Sequence, residues 1–399
     1  MKGRNLLLTF LMGMLLISCG TTKKVGNTIK DFLGDDKPKE LRTSRLAMFE
    51  MDEKIRGAWA GQLIGYSYAA PYASKNQGTL IDEAMQVWTP VLVERALQSP
   101  DIQVQIFFMS ILKEKGLSVT VDEAAVYLAR TNLNLPEAAR QAQTILKQGR
   151  PAREAANPQN NPYVRSSDFM GLADMFGIIS PGMPQTMMDI AEEFGGVMSY
   201  GEGLDAGYFI GGMYSAAYFY PDPLSVVQQG IESVHPRSQL RGAVQDVVIA
   251  YANDPDDWQA CWNMLQQKWG GANIPRGAKI NAAYATLGLL YGGGDFEKTL
   301  EITTRCGLDT TNNASTAAGV LGAIKGFSRI PSEYTSGILV LGDRQFQNST
   351  VTFDSLIAES RRLAEQVMDR YGGTSTRLGD RDYYLVPVQD PRPPRRFDQ

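Results

Sequence analysis

The groups best suited to chemistry in this 399-residue chain are oxygen-bearing and fall in two places. In CGLDTTNNASTAAGVLGAIKGF, residues 306–327, Asp309, Thr310, Thr311, Asn312 and Asn313 precede a run of small apolar residues. In TLIDEAM, residues 79–85, Asp82 and Glu83 stand side by side. An acid at a helix start is favoured by capping and by the helix dipole, and Asn312 and Asn313 read equally as caps. The chemical alternative is that the two acidic places converge. Carboxylate, hydroxyl and water oxygens hold hard cations such as Mg²⁺ without any histidine. Either a hydrated metal or a carboxylate base can activate water for attack on a sugar carbon.

Other chemistries lack their residues. His235, in SVHPRS, is the only histidine, and Pro236 beside it marks a loop or turn. A Ser-His-Asp or Cys-His arrangement has nothing else to stand on, and a His/Cys zinc site lacks ligands. GEGLDAG, 201–207, has the wrong glycine spacing for a dinucleotide fingerprint and no strand before it, and no Walker-type lysine loop occurs. The net charge of −4, with no basic stripe interleaved with aromatics, argues against a nucleic-acid partner.

The elements that must position these groups read as helices. Gly57, Gly61 and Gly65 in KIRGAWAGQLIGYSYAAP are spaced by four, as are Ala318, Gly322 and Gly326 after the polar cluster. Residues four apart share a helix face, so each stripe of small residues predicts a close helix–helix approach. Polar residues within both stretches rule out a membrane span. Helical periodicity predominates from about 46 to 372, giving an all-α, multi-helix single domain. DEAMQVWTPVLVERAL, 82–97, reads as a helix opened by Asp82-Glu83 and broken or kinked at Pro90. GILVLG, 337–342, is the best short strand candidate. The Pro-rich tail, 373–399, reads as extended, with YYLVPV on the domain surface.

The chain start reads differently. Lys2 and Arg4 precede an apolar run from Leu6 to Ile17 that is too short to span a bilayer. It ends in Leu16-Ile17-Ser18-Cys19-Gly20, which resembles a bacterial lipobox. The expectation is a signal peptide over 1–18, lipidation at Cys19, a polar tether over 19–45, and a folded body over 46–372 anchored to a membrane of the cell envelope.

The two end motifs, in this order, resemble those of the ADP-ribosylglycohydrolase family, which includes the dinitrogenase reductase-activating glycohydrolase. KIRGAWAGQLIGYSYAAP is similar to its Gly-rich opening helix. CGLDTTNNASTAAGVLGAIKGFSRIP is similar to its C-terminal metal motif. GLADMFGIISPGMP and YGEGLDAGYFIGGMYSAAYF resemble segments of one bacterial branch. The resemblance implies a compact all-α fold, one or two Mg²⁺ or Mn²⁺ ions, and hydrolysis of a glycosidic bond to an ADP-ribosyl or related group. Carried over by position, the family's Thr-Asp-Asp falls on Ile81-Asp82-Glu83, and its Asp-x-Asp on Asp309-Thr310-Thr311. The implied metal ligands are Asp82, Glu83, Asp309 and Thr311, with Asp82 and Glu83 also catalytic. Asp168, Gly201, Gly203, Gly207, Asn312 and Asn313 are candidate substrate contacts, and for the glycines helix packing is the competing role. Threonine at 311 and isoleucine at 81 weaken the ligand set, so the alternative is a catalytically degenerate ligand-binding protein on the same fold.

Overall fold

The computed structural model describes residues 42–73, 78–271 and 277–393. The leader, Cys19 and nearly all of the expected tether lie outside these residues. Thr43–Gln399 forms one unit, and residues 1–42 are assigned to another, of which only Arg42 is described.

Strand β1 (Thr43–Ala47) leads into α1 (Met48–Ala69) and a 3₁₀ turn, Ala70–Tyr72. After a second 3₁₀ segment, Pro90–Gln98, come α2 (Pro100–Lys115), α3 (Val121–Arg130), α4 (Glu137–Lys147) and α5 (Ala152–Ala155). The middle of the chain forms α6 (Asp168–Leu172), α7 (Asp174–Ile178), α8 (Pro184–Gly195), α9 (Glu202–Ala217), α10 (Pro223–Glu232), α11 (Gln239–Asn253) and α12 (Trp258–Trp269). Then follow α13 (Ala278–Tyr291), α14 (Phe296–Arg305), α15 (Thr310–Lys325), α16 (Ser332–Leu341) and α17 (Phe353–Arg370). Strands β2 (Thr374–Leu378) and β3 (Arg381–Pro387) close the fold, which is all-α in class.

Helices α1 and α15 form its axis, and the two small-residue stripes face each other. A Cβ on Gly61 would lie 2.1 Å from the Ala318 carbonyl oxygen, and one on Gly65 would lie 2.2 Å from that of Ala314. The contact is reciprocal one turn along, because a Cβ on Gly322 would lie 2.1 Å from the Gly57 oxygen. Hydrogens occupy those positions and point at carbonyls of the partner helix, a weak C–H···O contact repeated along the pair. Glycine's cost inside a helix, ~1 kcal/mol relative to alanine, is thus offset by backbone contact that no larger residue allows.

Lys54 fixes the other end of the pair. Its Nζ donates to the carbonyls of Ala217, Ala323 and Ile324 at 2.8, 3.2 and 3.0 Å. These belong to the last turns of α9 and α15, whose carbonyls have no partner within their own helices. Burial pulls this ammonium down to about 8, with Arg329 adding to the effect.

The structure differs from the sequence reading in four places. Residues 82–89 are not helical. Thr89 is extended, as the residue before a proline tends to be, and Pro90 opens a 3₁₀ segment. The stretch is tied instead to the end of α1: Gln86 Nε2 donates to Tyr68 O at 2.5 Å, and the Gln86 N–H donates to Tyr72 Oη at 2.6 Å. GILVLG is mostly helical, within α16, because Gly337 packs against the Pro90 carbonyl while Leu339 and Val340 face out. The folded body begins at Thr43 rather than 46. The tail is part of the fold: β3 pairs antiparallel with both β1 and β2, giving the order β1-β3-β2. Tyr384 and Val386 alternate into the interior, which buries one face of β3. Cys261 and Cys306 are both buried free thiols.

Candidate functional site

The polar cluster that precedes the small-residue run is buried at the N-terminus of α15. Gly307 and Leu308 both adopt positive φ, 78° and 59°, before Asp309 begins the helix. A leucine held there costs about 1–2 kcal/mol, and this backbone directs the Asp309 side chain inward. Asp309 is 9% exposed and does not cap its own helix. Its Oδ2 accepts from Ser167 Oγ at 2.6 Å and from Asn312 Nδ2 at 3.4 Å, and Asn312 also donates to Ser167 O. The Asp309 N–H donates to Asn281 Oδ1 at 3.1 Å, and Asn313 Nδ2 donates to the same oxygen at 2.9 Å. Thr310 Oγ1 donates to Tyr72 O, which ties the turn after α1 to the start of α15. Thr311 is half-buried, one position further into the helix.

The 81–83 segment reaches the same end of the bundle. The Ile81 N–H donates to Arg305 O at 2.9 Å, and the Arg305 guanidinium donates to the carbonyls of Ile81 and Glu83. Arg305 ends α14, so this brace sets Asp82 and Glu83 just ahead of the Gly307–Leu308 turn. Both side chains are exposed, whereas Asp309 is buried.

Mg²⁺ or Mn²⁺ would require a near-octahedral set of oxygens with carboxylates among them. Among the described residues no three His, Cys, Asp or Glu side chains gather as a possible metal-holding group. Asp82, Glu83, Asp309 and Thr311 are therefore not brought together as a ligand set. The buried oxygens of Asn312 Oδ1 and Asn313 Oδ1 accept no hydrogen bond, but they are neutral, and Asn312 Oδ1 lies against Gly171. The residues as arranged do not fit the ion that the resemblance implies.

The other nominated residues divide by role. Asp168 Oδ2 accepts the Ala138 N–H at 2.7 Å. It thereby serves the first turn of α4, whose N-cap, Pro136, offers no side-chain acceptor. Gly203 and Gly207 are packing positions: a Cβ on Gly203 would lie 2.2 Å from Val164 O, and one on Gly207 would lie 2.3 Å from the Phe169 ring. Gly201 has φ 54° at the start of α9 and lines a separate cavity. Asn312 and Asn313 do belong to the Asp309 cluster.

Sequence reasoning missed Ser167 and Asn281. Asn281 left one sign, an amide inside the otherwise small and apolar stretch INAAYATLGLL. Ser167 left none. Beneath the cluster lies a further buried polar layer. Gln105 Nε2 donates to Gln62 Oε1 and to Gly171 O, and Thr316 Oγ1 donates to Asp174 Oδ1 at 3.4 Å. Full burial pushes the Asp174 carboxyl well above the usual range.

Residues 49–373 match the family model described as ADP-ribosylglycohydrolase. The chain belongs to the ADP-ribosylglycohydrolase family. Comparison with curated proteins gave no match. Among solved structures, an "ADP-ribosylglycohydrolase-related protein complex" is similar at a TM-score of 0.54 and 14% identity, covering 80% of this chain and 100% of that one. At that identity the likeness speaks for the fold. Membership in the ADP-ribosylglycohydrolase family suggests glycohydrolase-type activity on an ADP-ribosyl-type small molecule. In this member of the family, with isoleucine at 81 and threonine at 311, Asp309 is the one buried carboxylate at the start of α15.

Proposed function

We propose that the chain is an exported, lipid-anchored glycohydrolase that cleaves an ADP-ribosyl or related N- or O-glycosidic bond at the Asp309 cluster. The observation that carries this reading is the environment of Asp309. It is a buried carboxylate, oriented by Ser167 and Asn312, at the end of the bundle that also presents Asp82 and Glu83. In the step proposed, Asp309 orients a water molecule and takes its proton as the water oxygen bonds to the anomeric carbon. The bond from that carbon to the acceptor breaks, and the departing acceptor is protonated from solvent. Asp82 and Glu83 stand at the exposed side, where they bear on the substrate's approach. Asn312 and Asn313 supply amide groups for ribose hydroxyls. No step is routed through a metal.

Export and anchoring rest on Lys2, Arg4, the Leu6–Ile17 run and Cys19. Radiolabelled palmitate should enter the wild-type protein and not Cys19→Ala; equal labelling of both would sink that part.

The test of activity is chromatographic detection of ADP-ribose from ADP-ribosyl N- and O-glycosides, with and without added Mg²⁺ or Mn²⁺. Release that needs no added metal and survives chelation supports the carboxylate reading. The second reading, a ligand-binding protein without turnover, is favoured by the absence of a gathered ligand set. It predicts saturable ADP-ribose binding with no product released.

A further inference from the structure

A second cavity, about 420 Å³, opens beside the N-terminal end of α9 between α5, α8 and the turn at His235. Its size falls within the range of small-molecule sites, ~300–1,000 Å³. The 164–167 segment links it to the Asp309 cluster: the Tyr200 N–H donates to Val164 O, while Ser167 holds Asp309. None of its lining residues belongs to the cluster itself.

The floor is polar and closed. Asp205, Tyr208 and Ser199 line the cavity at 7%, 1% and 2% exposure. Tyr208 Oη and Ser199 Oγ make no hydrogen bond within the protein. A buried hydroxyl without a partner is costly, and phenylalanine and alanine would fill the same positions free of that cost. The two hydroxyls are therefore placed for something that enters.

Charge narrows what that is. The Tyr208 hydroxyl is pushed well up, first by burial and then by the carboxylates of Glu192, Asp205, Asp189 and Glu193. Burial lifts the Asp205 carboxyl to about 6, against a hydrogen bond from Ser238 that lowers it and with Glu202 adding. Facing these are two basic groups at the mouth. Arg153 is exposed, and His235 is half-buried, its ring held low by burial and by Arg237 and Arg241. Of the charged lining groups Asp205 alone is buried, while Glu192 and Arg153 are both exposed, so the buried end of the cavity carries a carboxyl and no base. A bare metal ion lacks ligands here too, since no three acids, histidines or cysteines converge among the described residues.

We propose that this cavity binds a small organic cation, an ammonium or guanidinium group on a short stem. Asp205 takes the charge-assisted hydrogen bond, and the hydroxyls of Tyr208 and Ser199 accept the remaining N–H groups. A neutral molecule of the same shape forfeits the Asp205 contact, and an anion meets the carboxyl of Asp205 at the buried end and that of Glu192 at the exposed side.

Calorimetric titration of the full chain with n-butylguanidinium, its neutral isostere n-butylurea, and inorganic phosphate tests this directly. The guanidinium should bind one-to-one, with a Kd below about 1 mM. Butylurea and phosphate should bind at least about tenfold more weakly, as expected when a charge-assisted bond is lost. Asp205→Asn should weaken guanidinium binding by about the same factor, and the isosteric Tyr208→Phe by several-fold, each with its circular dichroism spectrum intact. Affinity should rise between pH 5 and pH 7 in the wild type and stay flat in Asp205→Asn. Asp309→Asn should leave binding unchanged, which separates this site from the proposed glycohydrolase centre. Preference for butylurea or phosphate, no binding of any probe, or guanidinium binding indifferent to both cavity variants would overturn the proposal.

Discussion

Two buried aspartates, Asp309 and Asp205, occupy comparable places at the N-terminal ends of α15 and α9, and they are built in opposite ways. Asp309 sits on the helix that packs backbone to backbone with α1, and donors from Ser167 and Asn312 already meet its carboxylate. Asp205 sits over an open cavity whose nearest hydroxyls lack partners, and burial raises its carboxyl. A carboxylate held by protein donors is fixed in direction before any substrate arrives, which suits chemistry at one atom. A carboxyl that burial raises despite a hydrogen bond from Ser238, and that faces an open cavity, gains from a ligand that brings further donors, which suits binding.

The contrast can be broken most severely at the tight end. Gly61→Leu drives a side chain into the Ala318 carbonyl region, where even a Cβ would lie at 2.1 Å. It should yield no folded protein, whereas a leucine at Gly271, where nothing lies within 4 Å, should leave the melting curve unmoved. Soluble expression and thermal melts of the pair decide it. Lys54→Met comes next. It strands three carbonyls at the ends of α9 and α15, and should cost about 3 kcal/mol in denaturant melts, on the scale of about 1–3 kcal/mol for each buried group left unsatisfied.

The open end should show itself through pH. Asp205 has a folded-state pKa raised to about 6, so the stability it contributes is fully present below its unfolded value, 3.8, and is lost as pH rises through 6. A rise from 3.8 to about 6 is worth about 3 kcal/mol. Asp205→Asn should remove that slope between pH 4 and pH 6.5, and a slope that persists would place its cause elsewhere. The smallest expected effect sharpens the division between cluster and scaffold. Asp168→Ala should cost about 1 kcal/mol by removing the acceptor for the first turn of α4. Both kcat and KM should stay near wild type, since its Oδ2 serves the Ala138 N–H rather than the Asp309 carboxylate.

What could be read from the sequence follows the same line. The glycine stripes are visible because four-residue spacing is a property of one helix, and two such stripes predict their own meeting. The polar start of α15 was legible for the same reason. Ser167 and Asn281 reach Asp309 from 142 and 28 positions away, and nothing in local spacing announces such a contact. Asp168 reads as a substrate contact in the sequence, and no local spacing announces that its Oδ2 accepts the Ala138 N–H of a helix whose own N-cap is a proline. The 82–89 stretch carries helix-forming residues, but Pro90 and the bonds from Gln86 to the end of α1 outweigh local propensity. The tail misled because its prolines stand after the alternating Tyr384 and Val386 that seat β3.

The most direct test concerns Asp309. In Asp309→Asn the side-chain carbonyl can still accept from Ser167 and Asn312, so the fold and its melting temperature should hold. Hydrolysis of the best ADP-ribosyl substrate should fall by about 100-fold or more, the usual range for losing a general base. A well-folded Asp309→Asn protein that releases product at the wild-type rate would contradict the assignment of this cluster as the working centre.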